Sequence, residues 1–396
     1  MPRDQRIERL AEVLVNYSAR VKPGDICGVV GDDGGRPLSE ALARAIIRAG
    51  GQPFLLARPN SLHEAMLAHA TDEQLARPNP MWQMYIETVN VHFAIWAEKN
   101  TKSLSRFDPK RTALLSQARK PFLKTFMERA GLPADDPRRL RWCGTLLPTE
   151  AHAQDAEMSL TQYEDFVFKA GLLHLEDPAA EWTRVFERQE KVRAFLQGKK
   201  QLRFRAPAEP GVHDGTDLRV DVSKGRWINC AGHENFPDGE VFAGPTLPGD
   251  GGFGVEGHVN YTFPAVYNGR EVEGVRLAFK GGRVADASAT KNEDFLFKML
   301  DQDANARNLG EIAIGTNYSI TEFSRNTLFD EKIGGTFHAA VGAGYPESGN
   351  TNESALHWDM VCDLRPRLAR DGSQLPGGTI EADGEVFHRD GKFLMM

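Results

Sequence analysis

The chain has 396 residues, more than a single hydrophobic core usually spans, so two domains are the starting expectation. Apolar residues make up 41% and charged residues 26%, which is typical of a folded globular protein and argues against a disordered or fibrous chain. The formal net charge of −7 argues against nucleic acid as the main partner, because phosphate binding requires a basic surface.

The N-terminal segment is polar and leads into an amphipathic stretch, and no later run approaches the length that spans a membrane. We therefore predict a cytoplasmic protein with no membrane partner. The four cysteines are far apart and form no C-x-x-C pair, so we expect free thiols rather than a disulfide framework or a zinc ribbon.

The first half of the chain alternates helices with short apolar strands. Helical spacing over 4–20 is followed by a strand near 26–30, a helix with Pro37 in its first turn, and strands at 53–57 and 91–96. Strands that are nearly continuous in apolar residues and separated by helices predict a parallel sheet covered on both faces. The first half is thus predicted to be an α/β domain.

Beyond this sheet pattern, a long helix is predicted from Asp108 to about Ala130, followed by a strand over 140–147 and a helix over 177–200. After that helix the strands alternate polar and apolar residues and are separated by glycine turns. We place the domain boundary near residue 190. Residues 1–190 form the α/β domain, and residues 191–396 form an α+β domain rich in antiparallel strands.

Two glycine-rich segments resemble nucleotide-binding loops without meeting their requirements. Residues 252–257 match G-x-G-x-x-G, but a strand-like segment follows them, so the helix N-terminus that holds a pyrophosphate is missing. Residues 31–35 do join a strand to a helix, but Asp32 and Asp33 would repel phosphate. We attribute these glycines to tight packing of the turn on the sheet.

Two glutamates of the second half stand where neither a core nor an ordinary surface requires them. Glu240 follows a Pro-Asp-Gly turn that fixes its carboxylate at a rigid corner. In 310–315, alternation places Ile312 and Ile314 on one face and Glu311 on the other, beside small residues. A carboxylate among small residues needs a partner.

Two histidines, a tyrosine and an aspartate complete the set of ligand-type side chains. His338 lies among alanines and glycines, which leave room around it, and His357 and Asp359 share one face of a predicted strand. Each stretch alone is more often structural than a ligand. Three carboxylates, two imidazoles and the phenol of Tyr345 nevertheless suit paired divalent ions such as Zn²⁺, Co²⁺ or Mn²⁺.

Other ionisable residues nearby carry less weight. Asp330, Glu331 and Glu353 are second candidates for orienting ligands or a substrate amine, but helix capping or a surface turn explains them equally well. His233 and His258 flank the site in sequence and are candidates for supporting its ligands, but the preferred prediction is that they are exposed loop residues.

With these residues in view, the chain resembles the thermophilic-type metallo-aminopeptidases, the aminopeptidase T and S relatives of peptidase family M29, over nearly its whole length. The most specific matches are the segments 237–242, 328–331 and 352–359. The stretch 332–335, which links the Asp-Glu pair to the histidine, departs from the usual short link. The match to 352–359 is long and distinctive.

The resemblance implies two divalent ions per chain, Zn²⁺, Co²⁺ or Mn²⁺ with Mg²⁺ as a further option, and short peptides as substrates. It also implies a Rossmann-like N-terminal domain, a homodimer and an active site in an interior cavity. The ligands implied by the family pattern are, in chain order, Glu240, Glu311, His338, Tyr345, His357 and Asp359.

We therefore predict a metallo-aminopeptidase that hydrolyses the N-terminal residue from short peptides with a water activated by two metal ions. Glu311 is our choice of general base, and Tyr345 is either a ligand or a donor to the oxyanion. One alternative is a mononuclear iron(II) ring-cleaving dioxygenase on the same fold, which would use a histidine and a His-x-Asp pair. A second alternative is a non-catalytic small-ligand-binding protein with structural metals.

Overall fold

Helices and single strands alternate through the first half of the chain. The computed structural model describes residues 4–267 and 269–395, and its elements are numbered in chain order. The helices of this half are α1 (Gln5–Val13), α2 (Arg36–Arg48), α3 (Asn60–His69), α4 (Asp72–Ala76), α5 (Pro80–Thr88), α6 (Pro109–Ala118), α7 (Lys120–Ala130), α8 (Glu150–Asp155), α9 (Leu160–Ala170) and α10 (Pro178–Leu196). Its strands are β1 (Ile26–Gly31), β2 (Gln52–Ala57), β3 (Val91–Trp96) and β4 (Arg141–Leu146).

Strands dominate the second half. They are β5 (Gln201–Ala206), β6 (Thr216–Asp221), β7 (Ile228–Cys230), β8 (Asn235–Phe236), β9 (Glu240–Ala243), β10 (Val255–Asn260), β11 (Ala265–Tyr267), β12 (Arg270–Val272), β13 (Arg276–Lys280), β14 (Arg283–Ser288), β15 (Leu309–Gly315), β16 (Thr336–Gly342), β17 (His357–Asp363), β18 (Arg367–Leu368), β19 (Gln374–Leu375), β20 (Thr379–Ala382), β21 (Glu385–Arg389) and β22 (Lys392–Phe393). The helices are α11 (Glu293–Leu300) and α12 (Thr327–Asp330).

The N-terminal strands form a parallel sheet in the order β2-β1-β3-β4-β8, as the buried apolar strands predict. The short strand β8 joins it from the second half of the chain. β2 lies at the edge, and there Phe54 and Leu55 are half exposed, 50% and 45%. The prediction of an α/β domain is confirmed, although the sheet is less fully covered at β2 than its apolar run suggests.

The prediction of one long helix from Asp108 to Ala130 is wrong. The segment forms two helices, α6 and α7, which are separated at Arg119. Pro121 lies in the first turn of α7, where its missing N–H would otherwise be needed by a continuous helix. The break is thus explained by a proline, which the pattern of apolar residues does not take into account.

The glycines of the turn after β1 are there for packing, as predicted. A Cβ atom added to Gly34 would lie 2.3 Å from the carbonyl oxygen of Ala97, and one added to Gly35 would lie 2.9 Å from Cγ2 of Ile95. The other glycine-rich segment runs into β10, a strand, so it offers no helix N-terminus to a phosphate.

The described residues divide into two compact units. One contains the chain up to Glu181 together with Gly232–Pro237, and the other contains Trp182–Ala231 and the chain from Asp238 onward. The boundary expected near residue 190 lies within α10, and the division at that residue stays a prediction. In the described ranges, no helix combines the length and the apolar character needed to cross a membrane.

The second unit contains an eight-stranded and a five-stranded sheet. The larger has the order β14-β13-β10-β6-β5-β20-β21-β22, and the smaller has the order β17-β16-β15-β9-β7. Side chains of both contribute to one hydrophobic core, in which the rings of Phe204 on β5 and Phe337 on β16 lie 4.4 Å apart. The five-stranded sheet therefore has one face in this core, and its other face is available for polar residues.

The N-terminal unit contains a buried histidine that should make its stability depend on pH. His92 is 8% exposed, its Nδ1 lies 2.7 Å from the hydroxyl of Tyr85, and burial lowers its pKa to about 4. The folded pKa of His92 is below the unfolded value of about 6.5. The contribution of His92 to the unfolding free energy is therefore fully present above pH 6.5 and is lost as the pH falls toward 4.

We expect His92→Gln to reduce the loss of unfolding free energy between pH 7.5 and pH 4.5 by about 2–3 kcal/mol. Urea titrations followed by tryptophan fluorescence at the two pH values would measure this difference. His69→Gln, at an exposed position of α3, is the matched control. An unchanged pH dependence in His92→Gln would contradict the prediction.

Candidate metal centre

The polar face of the five-stranded sheet carries the predicted ligands in neighbouring rows. Glu311 on β15 lies opposite Ala340 on β16, and Ala340 in turn lies opposite Asp359 on β17. His338 lies opposite Ala313, one row away on the same face. The alternation predicted for 310–315 is therefore observed, and each ligand-type side chain has a small residue beside it.

Glu240 enters the same face from the first residue of β9, where it lies opposite Gly315. The turn before it requires a glycine, because Gly239 has φ +132° and a Cβ there would lie 2.6 Å from the Cβ of Asn317. The carbonyl oxygen of Glu240 also accepts a hydrogen bond from the side chain of Gln189. The backbone at Glu240 is therefore fixed by the tight turn before it and by the hydrogen bond from Gln189.

His338 is the centre of the cluster. Its Nε2 lies 3.2 Å from Oε1 of Glu311, 3.3 Å from Oε2 of Glu240 and 3.9 Å from Oδ1 of Asp359. Burial alone would lower the pKa of His338, but the carboxylates of Glu311, Glu240 and Asp359 outweigh burial and raise it to about 9. The ring thus lies where a positive charge is strongly favoured.

His357 and Asp359 form the second half of the cluster. Nε2 of His357 lies 3.5 Å from Oδ2 of Asp359, and the ring of Tyr345 lies 5.1 Å from the ring of His357. Burial opposes charge on His357, but Asp359 raises its pKa to about 10. Burial, together with the nearby carboxylates, raises the pKa of Tyr345 well above its ordinary value, so this side chain is a phenol in the metal-free protein.

Backbone carbonyl groups orient both histidines. Nδ1 of His338 lies 2.9 Å from the carbonyl oxygen of Glu331, and Nδ1 of His357 lies 2.8 Å from that of Ala343. A hydrogen on each Nδ1 satisfies these carbonyl groups, so each Nε2 can offer a lone pair toward the carboxylates when the ring is neutral. A lone pair and a carboxylate oxygen repel each other unless a proton or a metal ion lies between them.

The donor groups of the cluster are close enough together, and of the right types, to hold a divalent ion between them. Two trios, Glu240–Glu311–His338 and Glu331–His338–Asp359, each place one ligand atom per residue within 4.8 Å of one another. Oε2 of Glu240 is buried and makes no hydrogen bond among the described residues, and burial raises the pKa of this side chain to about 8. Carboxylate oxygens and imidazole nitrogens together suit Zn²⁺, Co²⁺ or Mn²⁺.

Sequence patterns undervalue one residue of the cluster and miss another. From the sequence alone, a surface turn explains Glu331 as well as a role at the site does. In the structure its side chain is only 15% exposed and belongs to the second trio. Lys332 carries no sequence signal, yet it is fully buried, pairs with Glu331 and lies 3.6 Å from Glu240. Three consecutive charged residues are typical of an exposed turn, so only the buried Phe329 and Ile333 that flank them could have suggested otherwise.

The remaining candidates have other partners. Oδ1 of Asp330 accepts hydrogen bonds from the backbone and the hydroxyl of Ser324, so it stabilises a local turn. Glu353 is exposed. His258 lies 3.7 Å from Asp214, and His233 is half-buried and stacks on Tyr17 in the N-terminal unit, so the expectation of exposed histidines is wrong for both.

Solvent exposure varies across the cluster and indicates its open side. The side chain of His338 is 0% exposed and that of Glu311 is 6% exposed, whereas His357 is 26% exposed and Tyr345 is half-buried. Within this unit, a substrate would therefore approach from the side of His357 and Tyr345.

The antiparallel unit, joined in one chain to a parallel α/β unit, carries a buried cluster of carboxylates and imidazoles, the donor types that metal-dependent enzymes use. The family model for the thermophilic metalloproteases (M29) matches residues 3–393, and the chain belongs to that family. The resemblance predicted from the sequence is confirmed. The chain is accordingly a metallo-aminopeptidase, a hydrolase acting on peptide bonds.

Three relatives are similar to this chain over different lengths. Aminopeptidase 2 of Geobacillus stearothermophilus is 27% identical over 416 residues, covering 94% of this chain and 96% of that protein. Aminopeptidase T of Thermus aquaticus is 33% identical over 244 residues, covering 53% of this chain and 56% of its own. Aminopeptidase AmpS of Bacillus subtilis is 29% identical over 254 residues, covering 57% of this chain and 58% of its own.

Solved structures agree with the fold. Wild-type AmpT from Thermus thermophilus superposes with a TM-score of 0.79 at 22% identity, covering 99% of both chains. A 2,5-dihydroxypyridine dioxygenase from Pseudomonas putida KT2440 has a TM-score of 0.58 at 12% identity, covering 100% of this chain and 99% of that one. The first match confirms the predicted fold class, a Rossmann-like parallel sheet followed by an α+β domain rich in antiparallel strands. At 22% and 12% identity, the two structures establish similarity of fold.

Proposed function

We propose that this enzyme removes the N-terminal residue from short peptides with two divalent metal ions, held by Glu240, Glu311, His338, His357 and Asp359, with Tyr345 as either a further ligand or a donor to the oxyanion. The observation that carries this proposal is the pair of overlapping donor trios around His338, whose Nε2 can bind one of the two ions, with Glu331 as a further carboxylate in the second trio. Divalent ions bound there would acidify a water molecule and polarise a carbonyl oxygen. Zn²⁺, Co²⁺ and Mn²⁺ match the donors best, and Mg²⁺ is a weaker match because it prefers oxygen ligands.

The test of function is a comparison of free and blocked N-termini. We expect the metal-loaded protein to release p-nitroaniline from leucyl- and arginyl-p-nitroanilide and to leave the N-acetylated forms of both intact. An aminopeptidase requires the free amine, whereas an endopeptidase or an esterase does not. Release of p-nitroaniline from none of a set of aminoacyl substrates, and no cleavage of dipeptides, would defeat the proposal.

Glu311 is our candidate for the general base. Its Oε1 lies 3.2 Å from Nε2 of His338, on the face that carries the other donors. From this position the carboxylate would accept a proton from the attacking water and return it to the leaving amine nitrogen, which regenerates the carboxylate.

Glu311→Gln keeps the shape of the side chain and removes its basicity. We expect kcat to fall roughly 10³-fold with little change in KM, because proton transfer is lost while substrate contacts remain. Metal content should be measured on the same preparations. Full activity with both metal ions retained would refute the assignment of Glu311 as the base.

Tyr345 is proposed to donate its phenolic hydrogen to the carbonyl oxygen of the substrate as negative charge develops there. It lies on the exposed side of the cluster, beside His357. We expect Tyr345→Phe to lower kcat about 10²-fold while retaining the metal ions. Loss of one ion from Tyr345→Phe would instead identify the phenol as a ligand, and unchanged kcat would exclude both roles.

The fold itself does not exclude dioxygenase chemistry, since a dioxygenase shares it. A dioxygenase would bind one iron with a facial triad of His338, His357 and Asp359. That triad would not use Glu240 and Glu311, yet both are buried beside His338, which favours the peptidase. Elemental analysis separates the two functions. About two zinc-like ions per chain support the peptidase, and one iron supports the dioxygenase.

Two further attributes are proposed from the family resemblance. We propose that the enzyme is cytoplasmic and that it acts as a homodimer. Light scattering coupled to size-exclusion chromatography would test the second point, because a dimer would have twice the 43.9 kDa mass of the chain.

A further inference from the structure

A lysine is enclosed among the carboxylates of the candidate metal centre. Lys332 is 0% exposed, and its Nζ pairs with Glu331 and lies 3.6 Å from Oε1 of Glu240. An ammonium group is costly to bury unless opposite charges compensate for the lost hydration. The two carboxylates compensate for it here.

The backbone fixes this lysine in place. The N–H of Lys332 donates to the carbonyl oxygen of Phe329, and its own carbonyl oxygen accepts from the N–H of Asn317. Asn317 also forms a bridge with Ile333, the next residue along the chain. Both sides of Lys332 are therefore anchored, and the ammonium is directed to the carboxylates by the fold rather than by a mobile loop.

Carboxylates outnumber ammonium groups around the lysine, and the imidazoles of His338 and His357 add positive charge when they are protonated. Glu240, Glu311, Glu331 and Asp359 bring four carboxylates into the two trios, whereas Lys332 brings one ammonium. Divalent ions at the trios would take up oxygen atoms of Glu240 and Glu331, the same two residues that the ammonium contacts. The lysine and a divalent ion thus draw on shared partners, and they repel each other.

We propose that Lys332 is a built-in counter-cation of this centre, which stabilises the metal-free protein by neutralising Glu240 and Glu331 and with which divalent ions compete on binding. The proposal rests on the metal site proposed above and adds a positioning residue to it. It follows that Lys332 weakens metal affinity and makes folding less dependent on metal. Removal of its charge should destabilise the metal-free form more than the loaded form, because divalent ions in the loaded form can neutralise the same carboxylates in its place.

Lys332→Met, which keeps the length of the side chain and removes the charge, tests the proposal. Zn²⁺ affinity would be measured by competition with a chromophoric chelator, and melting temperatures would be measured with and without Zn²⁺. We expect Zn²⁺ to bind at least about tenfold more tightly to Lys332→Met than to wild type. We also expect a larger fall in the melting temperature of the metal-free form than in that of the loaded form.

Two control variants isolate the charge. Lys332→Arg retains the charge and should bind Zn²⁺ as wild type does, and Lys298→Met at an exposed position of α11 should change neither readout. A purely structural lysine would lower both melting temperatures equally and leave Zn²⁺ affinity unchanged, which would overturn the proposal.

Other outcomes are equally decisive. Recovery of folded Lys332→Met only in the presence of Zn²⁺ would support the proposal, because the ion would then replace the ammonium. Failure of Lys332→Met to fold even with Zn²⁺ would overturn it. A wild-type protein that binds no Zn²⁺, Co²⁺ or Mn²⁺ would overturn the metal site together with this inference, whereas wild-type binding matched by Lys332→Met overturns the inference alone.

Discussion

A His338→Asn variant is expected to lose roughly 10⁴-fold in aminopeptidase activity and most of its bound metal. His338 belongs to both donor trios, so the variant lacks the imidazole nitrogen whichever trio holds the ion that it binds. Asparagine can still donate a hydrogen bond to the carbonyl oxygen of Glu331, the present partner of Nδ1, so the fold should survive. Activity assays and elemental analysis of purified protein would measure the two losses.

His258→Asn is the matched control for this experiment, because His258 is a strand histidine of the same unit that lies beside Asp214 rather than in a ligand trio. We expect it to retain metal and activity. Circular dichroism would establish that both variants are folded. A His338→Asn protein that keeps its metal and remains within tenfold of wild-type activity would remove His338 from the proposed centre.

A Trp358→Ala variant should be strongly destabilised. Trp358 is 1% exposed and packs against Tyr267 and Phe295, with ring centroids 5.4 Å and 6.1 Å away. Truncation of a buried tryptophan leaves a large cavity and costs about 3–5 kcal/mol of unfolding free energy. Because His357 and Asp359 flank it on the same strand, we also expect weaker metal binding.

Trp358→Phe provides the control. The indole nitrogen of Trp358 is buried and makes no hydrogen bond among the described residues, so phenylalanine removes an unsatisfied donor while it fills most of the space. We expect a cost below about 1.5 kcal/mol. Denaturant unfolding of the two variants would give these values, and equal destabilisation by alanine and phenylalanine would show that packing is not the cause.

Much of the fold could be predicted because the local patterns are strong. The buried apolar runs near residues 26 and 91 predict parallel strands, and the alternation at 310–315 correctly assigns Glu311 and Ile312 to opposite faces. The prediction of one long helix failed because the apolar spacing continues across Arg119, where the first helix ends. The strand β8 could not be predicted, since two residues carry no periodicity and their pairing with β4 depends on the folded chain.

The candidate site was less accessible to sequence reasoning. The donor residues could be named, but the cross-strand register that places Asp359 in line with Glu311 is set by long-range pairing. Lys332 could not be recognised from the sequence as a buried residue. A lysine is almost never fully buried unless carboxylates pair with it, and one of its two partners, Glu240, comes from a distant segment. Only the three-dimensional structure brings Glu240 to this lysine.

The small residues on the polar face leave the space that a metal ion between the donors would need. Ala340 stands between Glu311 and Asp359 in one row of the sheet, and its methyl group points to the same side as their carboxylates. A branched side chain there would fill the space between the two carboxylates, although every donor would still be encoded. We therefore expect Ala340→Val, a methyl-to-isopropyl change, to weaken metal binding and activity, and a relative with this change would still have every donor residue in its sequence.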